Sequence, residues 1–460
     1  MSIADARDCP VSGATPAALH SYERALALFQ SWRDGVDEQL APALREAPRF
    51  VMAHVLQAVL LVCNRDPRRV RSARPLVAYA AGLPANDMER LHLSALAAAI
   101  DDDYEGAKAR LGELLRLQPR DALALQVAHA LDYVTGDVAR MQDRVAAVLP
   151  AWSADLPGYH AVLAMHGFSL EECGEYSRAE EAARAALALN PLDARAHHVM
   201  AHIFEMTARP DAGARWLDEH VASWGMDTAI VTHGHWHLAL FHLAQGGPDR
   251  ALGWYDRHVR RGQSGRIADL IDAAALLWRI RLQGGDAGPR WTELAEAWDP
   301  HIEDAFCSFN DLHAMLAFVG AHDWERAQRL ERVLAAAQSR PTRHGATTRQ
   351  FGLNACRALV AFGRGDDTLA IALLGGLPAA AHRFGGSLAQ RDVLVLTLQR
   401  AIERTRRPGR QAHGAMLPMT APSRAHSGSP RATHPTPSLA DRRSQRSGHA
   451  AAPHLQGHPA

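Results

Sequence analysis

Residues 159–193 read YHAVLAMHGFSLEECGEYSRAEEAARAALALNPLD. Small Gly167 sits midway through a first helical stretch. Gly174 and Tyr176 mark a turn, Ala179 opens the packed face of a second helix, and Asn190-Pro191 stops it. This is the order of a tetratricopeptide unit of about 34 residues. The order has a packing cause. Antiparallel helices approach closely only where a small side chain lies at the crossing. Glycine permits the tight turn, and proline cannot continue a helix.

Other stretches fall into the same register. Ala95, Tyr104, Ala107 and Pro119 match it over 91–121, and Ala358, Gly365 and Ala370 match it later. Gly174 to Ala208 spans 34 residues, and Gly213 to Ala251 spans 38, so an insertion of four precedes that unit. Degenerate copies fall at 17–50, 51–87, 122–155, 266–300 and 308–340. The expectation is an all-α, tetratricopeptide-like helical-repeat superhelix, an α-α solenoid whose first helices line a concave groove. A compact helical bundle without superhelical stacking is the alternative.

Composition agrees. The chain has 460 residues, 47% of them hydrophobic but only 6% aromatic, enough for a large core built mainly of helix formers. Lead, repeat domain and tail are expected at 1–16, 17–405 and 406–460. The last segment is rich in Pro, Ser, His and Arg and too poor in apolar residues to offset the entropy of ordering, so it reads as disordered. It carries eight arginines and one acidic residue, Asp441, which sets a +7 tail against a −7 body within a chain of 50 basic and 50 acidic residues. No aromatics interleave with those arginines, so nucleic-acid stacking is not supported. Five scattered cysteines with no CxxC pair suggest reduced thiols and a cytoplasmic setting. Neither a signal pattern nor an apolar run of membrane-spanning length is found.

The chain has 26 histidines, and two groups stand on consecutive first helices. In ARAHHVMAHIFEM (194–206), His198, His202 and Glu205 share one helical face at i, i+4 and i+7. In THGHWHLALFH (232–242), His233 and His237 repeat the i, i+4 spacing around His235 and Trp236. Neighbouring first helices pack about 8–10 Å apart, so His198, His202, Glu205, His233 and His237 can converge on one patch. Three readings stay open: hydrogen-bonded histidines of the core, the polar floor of a ligand pocket, or a divalent metal site such as zinc formed by those five. Val199 follows His198 where a zincin protease needs its glutamate, which argues against that chemistry. Asp311 and His313 in FNDLHAM, and Arg391 and Asp392 in GGSLAQRDV, complete the groove candidates. No phosphate loop, nucleophile elbow or dinucleotide fingerprint is present.

Several segments occur together in a known order: FVMAH (50–54), the stretch from DALALQVAH into MQDRVAAVLPAW (121–152), AHHVMAHIFEM (196–206), HGHWHLAL (233–240), FNDLHAMLAFVGAHD (309–323) and GGSLAQRDV (385–393). In these the chain resembles the tetratricopeptide repeat protein 38 family over 17–402. The resemblance includes His198, His202, Glu205, His233, Trp236 and His237. The family commonly has an aromatic where His235 stands, so His235 is a poor candidate for a shared role. The resemblance implies a tetratricopeptide-type fold and no established reaction. The leading functional expectation is a non-enzymatic interaction protein that takes a peptide, protein or small ligand in its groove, with no cofactor. The alternative is a metal-binding protein or metal-dependent enzyme.

Overall fold

The all-α expectation holds. The computed structural model describes residues 3–64 and 66–406. The expected disordered tail, from 407 onward, lies outside the described residues. The chain opens with a two-residue ladder, β1 (Ile3–Ala4) against β2 (Pro10–Val11). Arg7 in its loop is buried and paired with Asp5 at 2.7 Å and Glu23 at 2.9 Å. Helix pairs follow in series. First come α1 (Pro16–Gln30) with α2 (Val36–Glu46), and α3 (Val51–Val62) with a broken partner, α4 (Pro67–Ser72) and α5 (Arg74–Ala81). Then come α6 (Asp87–Ile100) with α7 (Tyr104–Leu117), α8 (Ala122–Thr135) with α9 (Val138–Val148), and α10 (Tyr159–Glu172) with α11 (Tyr176–Leu189).

Next, α12 (Ala194–Met206) pairs with α13 (Pro210–Glu219). The insertion read from the 38-residue spacing is a short extra helix, α14 (Val221–Trp224), with the turn after it. The series continues with α15 (Val231–Gly246) and α16 (Pro248–Trp254), α17 (Ile267–Leu282) and α18 (Arg290–Trp298), and α19 (Ser308–Gly320) and α20 (Trp324–Ala337). It closes with α21 (Arg343–Thr347) leading through a wide turn into α22 (Leu353–Gly363), then α23 (Asp367–Leu374), α24 (Leu377–Ala380) and the long α25 (Leu388–Arg406). Among the described residues, no helix is long and apolar enough to cross a membrane.

Local chemistry explains the joints. Asp121 and Asp193 accept hydrogen bonds from the N–H groups of Ala124 and Ala196, and Asn86 with Glu89 forms a capping box. Gly174 turns with φ +78°, in the left-handed region. A methyl group on Gly167 would lie 3.1 Å from the carbonyl oxygen of Ala179, so glycine sets the approach of α10 to α11. First helices are wrapped by their neighbours: every residue of α19 is buried, as are most of α12 and α17.

The concave side of the first helices, where a groove is expected, is crossed by other parts of the chain. Segments far apart in the sequence meet. The link after α1 meets the start of α12 and the α14–α15 turn: the N–H of Ala194 donates to the Ser31 carbonyl (3.2 Å), that of Ala229 to Trp32 (2.9 Å), and that of Asp34 to Asp227 (2.9 Å). Arg343 donates to the carbonyl of Thr135 at 2.7 Å. The entry to α25 runs past α8 and α10, where the Tyr133 hydroxyl bonds Gln390 (3.0 Å) and the Leu388 N–H donates to Glu172 (2.9 Å). The inner side of the first helices is therefore covered by the chain itself, by Trp32 and by α25.

Candidate metal centre

The N-cap bond of Asp193 starts α12, and the helical period then puts His198 and His202 on one side. α15 packs beside α12 and presents His233 and His237 to them. One ligand nitrogen from each of these four residues lies within 4.8 Å of every other. The Nε2 of His198 sits 2.9 Å from that of His202 and 3.0 Å from that of His233. His202 and His237 are fully buried, His198 nearly so, and His233 keeps 17% of its side chain exposed.

Carboxylates stand behind the rings. Nδ1 of His233 lies 2.9 and 3.0 Å from the two oxygens of Asp272 on α17. Nδ1 of His237 lies 2.9 Å from Glu205. Nδ1 of His202 faces Glu171 at 3.5 Å. Rings pin the imidazoles from the sides: Trp236 stacks on His233 at 5.1 Å, Phe168 on His198 at 5.8 Å, and Trp32 leans on His198 at 5.4 Å.

A ring nitrogen has one in-plane site, either an N–H or a lone pair. The Nε2 of His198 meets two other Nε2 atoms, so no choice of tautomer satisfies both contacts. Donation of Nδ1–H from His233 to Asp272 and from His237 to Glu205 turns the Nε2 lone pairs of those two rings inward, and the buried Nε2 of His237 has no hydrogen-bond partner. Burial disfavours the charged form of three of the rings: it pulls His202 down to about 3, and it takes His198 and His237 well below the usual range, with their neighbours' charges adding to it in those two. Burial also raises Glu171 to about 8 and Glu172 to about 7, and it lifts Glu205 well above the ordinary carboxylate range.

The donor set fits a divalent transition ion. Zinc–nitrogen bonds of about 2.0–2.1 Å at tetrahedral angles place ligand nitrogens ~3.3 Å apart, so an ion would spread the rings only slightly. Carboxylate–histidine pairs are the usual outer support of such ligands. His198, His202 and His233 would hold the ion, with His237 as a fourth donor.

The remaining sequence candidates take other places. Glu205 orients His237 rather than joining the nitrogen set. Arg391 pairs with Glu172 at 3.2 Å. Asp392 is bound by Arg279, whose guanidinium lies over Trp236 at 5.3 Å. Asp311 and His313 are buried on α19 outside the ligand group. His313 turns its Nδ1 to the Phe309 carbonyl at 2.7 Å, and burial pushes Asp311 up to about 8. His235 points elsewhere and stacks on His258 at 4.3 Å.

Sequence reasoning missed Glu171, Glu172, Asp272, Phe168 and Trp32. Two signals were available. Glu171 stands 34 residues before Glu205, one repeat earlier, and Asp272 interrupts the apolar run IADLIDAAALLW. Trp32 comes from a turn far away in the chain, and no local pattern marks it.

No family model matches the chain. Among solved structures, it is similar to the human IFIT1 dimer with PPP-AAAA, at TM-score 0.41 and 12% identity over 84% of this chain and 85% of that one. It is also similar to the Cut9 and Hcn1 hetero-tetramer of the APC/C, at TM-score 0.38 and 13% identity over 84% and 76%. Likeness at this level accompanies the tetratricopeptide-like helical-repeat fold and carries nothing about the histidine centre.

Proposed function

We propose that the chain is a helical-repeat metalloprotein that holds one divalent transition ion of the zinc class between α12 and α15. The carrying observation is the Nε2 of His198 at 2.9 and 3.0 Å from two other Nε2 atoms, a convergence that hydrogen bonding cannot satisfy and a cation can. Carboxylates bonded to the Nδ1 atoms of His233 and His237, with Glu171 close to His202, support it. All-imidazole donors suit zinc, copper, iron or nickel better than magnesium or calcium. The bound ion would supply Lewis acidity, and the chain's part is to fix the rings and keep the surroundings dry.

A peptide in the concave groove, the leading expectation from sequence, has less support because Trp32 and α25 occupy that side. A small ligand is compatible with the arrangement. We also propose membership of the tetratricopeptide repeat protein 38 family, since the histidines of its motifs are the ones that converge. A cytoplasmic setting is proposed from five free cysteines.

Elemental analysis of protein purified without chelator is expected to find about one transition ion per chain, together with a zinc-dependent rise in melting temperature. A His198→Ala/His202→Ala variant should lose both. A metal-free wild type that does not respond to added zinc, cobalt or iron would end the proposal.

A further inference from the structure

Arg195 stands one turn before His198 on the same side of α12, with only 4% of its surface exposed. The other deeply buried arginines have carboxylate partners: Arg7 has Asp5 and Glu23, Arg260 has Glu293, Arg279 has Asp392 and Arg391 has Glu172. Arg195 makes no such pair among the described residues, and its buried Nε has no hydrogen-bond partner. Asp193 attracts it from a distance, but the Asp193 oxygens are taken by His160 at 2.6 Å and by the Ala196 N–H at 3.1 Å. Burial pulls the guanidinium down to about 10, still fully charged at neutral pH. An unpaired buried cation is expensive to hold unless something meets it.

Its surroundings link it to the metal centre. The Arg195 Cζ lies over the Trp32 ring, 4.6 Å from the centroid, and the same indole leans on His198 at 5.4 Å. Both groups rest on one indole, so guanidinium and imidazole are separated by no more than the span of a small molecule. A guanidinium that gives its face to an indole keeps its N–H edge free, and that edge matches the two oxygens of a carboxylate.

The geometry points to Arg195 as the anchor for the carboxylate of a small organic acid, whose other end reaches the ion held by His198, His202 and His233. The second half of this statement rests on the metal reading, and the first half does not.

The two halves are tested apart. Calorimetric titration of metal-free protein with acetate should show binding by the wild type. Arg195→Met should weaken it about tenfold or more, and Arg195→Lys, which keeps the charge but loses the fork, should also bind less well. Cobalt-loaded wild type titrated with glycolate, which adds a hydroxyl donor, should bind it more tightly than the metal-free form does and change its visible absorption. Acetate binding that depends on Arg195, in a protein that takes up no cobalt, keeps the anchor and removes the metal. Cobalt binding with acetate affinity unchanged in both variants overturns the anchor. So does a wild type that binds no acetate, or one that prefers inorganic phosphate. If Arg195→Met does not fold, the lysine variant decides.

Discussion

Asp272→Asn is the sharpest perturbation of the metal centre, because it removes a charge and almost nothing else. Asp272 meets Nδ1 of His233 with both oxygens, at 2.9 and 3.0 Å. Glu205 meets His237 with one oxygen at 2.9 Å, and Glu171 stands 3.5 Å from His202, beyond hydrogen-bond length. Loss of a supporting carboxylate lowers metal affinity by about 10–100-fold, or ~1.4–2.7 kcal/mol. The distances order the three sites within that range. Asp272→Asn should lie near the upper end, Glu205→Gln below it, and Glu171→Gln near or under the lower end. Competition against a zinc-chelating dye at fixed pH measures each affinity, and melting of the metal-free variants shows that the fold is retained. An Asp272→Asn protein binding zinc within about twofold of wild type, or a Glu171→Gln protein hit hardest, would refute the assignment of Asp272 as the principal support.

Three further outcomes follow from packing and charge. Gly167→Ala should cost about 1–3 kcal/mol in chemical denaturation, since the new methyl meets the Ala179 carbonyl at 3.1 Å, whereas Gly262→Ala, with nothing within 4 Å, should be close to neutral. Arg391→Met strands Glu172 beside Glu171 and should cost about 3–5 kcal/mol, most of it recovered in the Glu172→Gln/Arg391→Met double variant. Asp311 is raised by burial to about 8 from an ordinary 3.8, so its stabilising contribution is complete below pH 3.8 and is lost as pH rises through about 8. Asp311→Asn should therefore gain on wild type as pH rises from 5 to 8, by on the order of 4 kcal/mol at the upper end, read as a widening gap in melting temperature.

Much of this was legible in the sequence because it depends on local period. Gly167, Gly174 and Pro191 spell out one helix pair, and the i, i+4 spacing of His198/His202 and His233/His237 puts four imidazoles on facing sides of adjacent helices. What local period cannot encode is contact between turns of the coil. Trp32 reaches His198 across more than 160 residues, and Leu388 reaches Glu172 across 216. Both depend on how tightly the superhelix winds, which is set by many small crossing angles and by no single motif. Burial was hidden for the same reason. Glu171 looks like an ordinary polar residue until α25 covers it.

The contacts between turns also change how the chain should come apart. A repeat array in which each unit touches only its neighbours unravels from its ends and tolerates trimming. Here Arg343 is tied to Thr135, and Ala194 to Ser31, across gaps of well over a hundred residues. Such long closures make the array cooperative in the manner of a single globular domain and slow its assembly, because distant segments must meet before the interior is complete. Removing α25 would strip the cover from units far from it in the sequence, and this last helix among the described residues acts as a keystone rather than a cap.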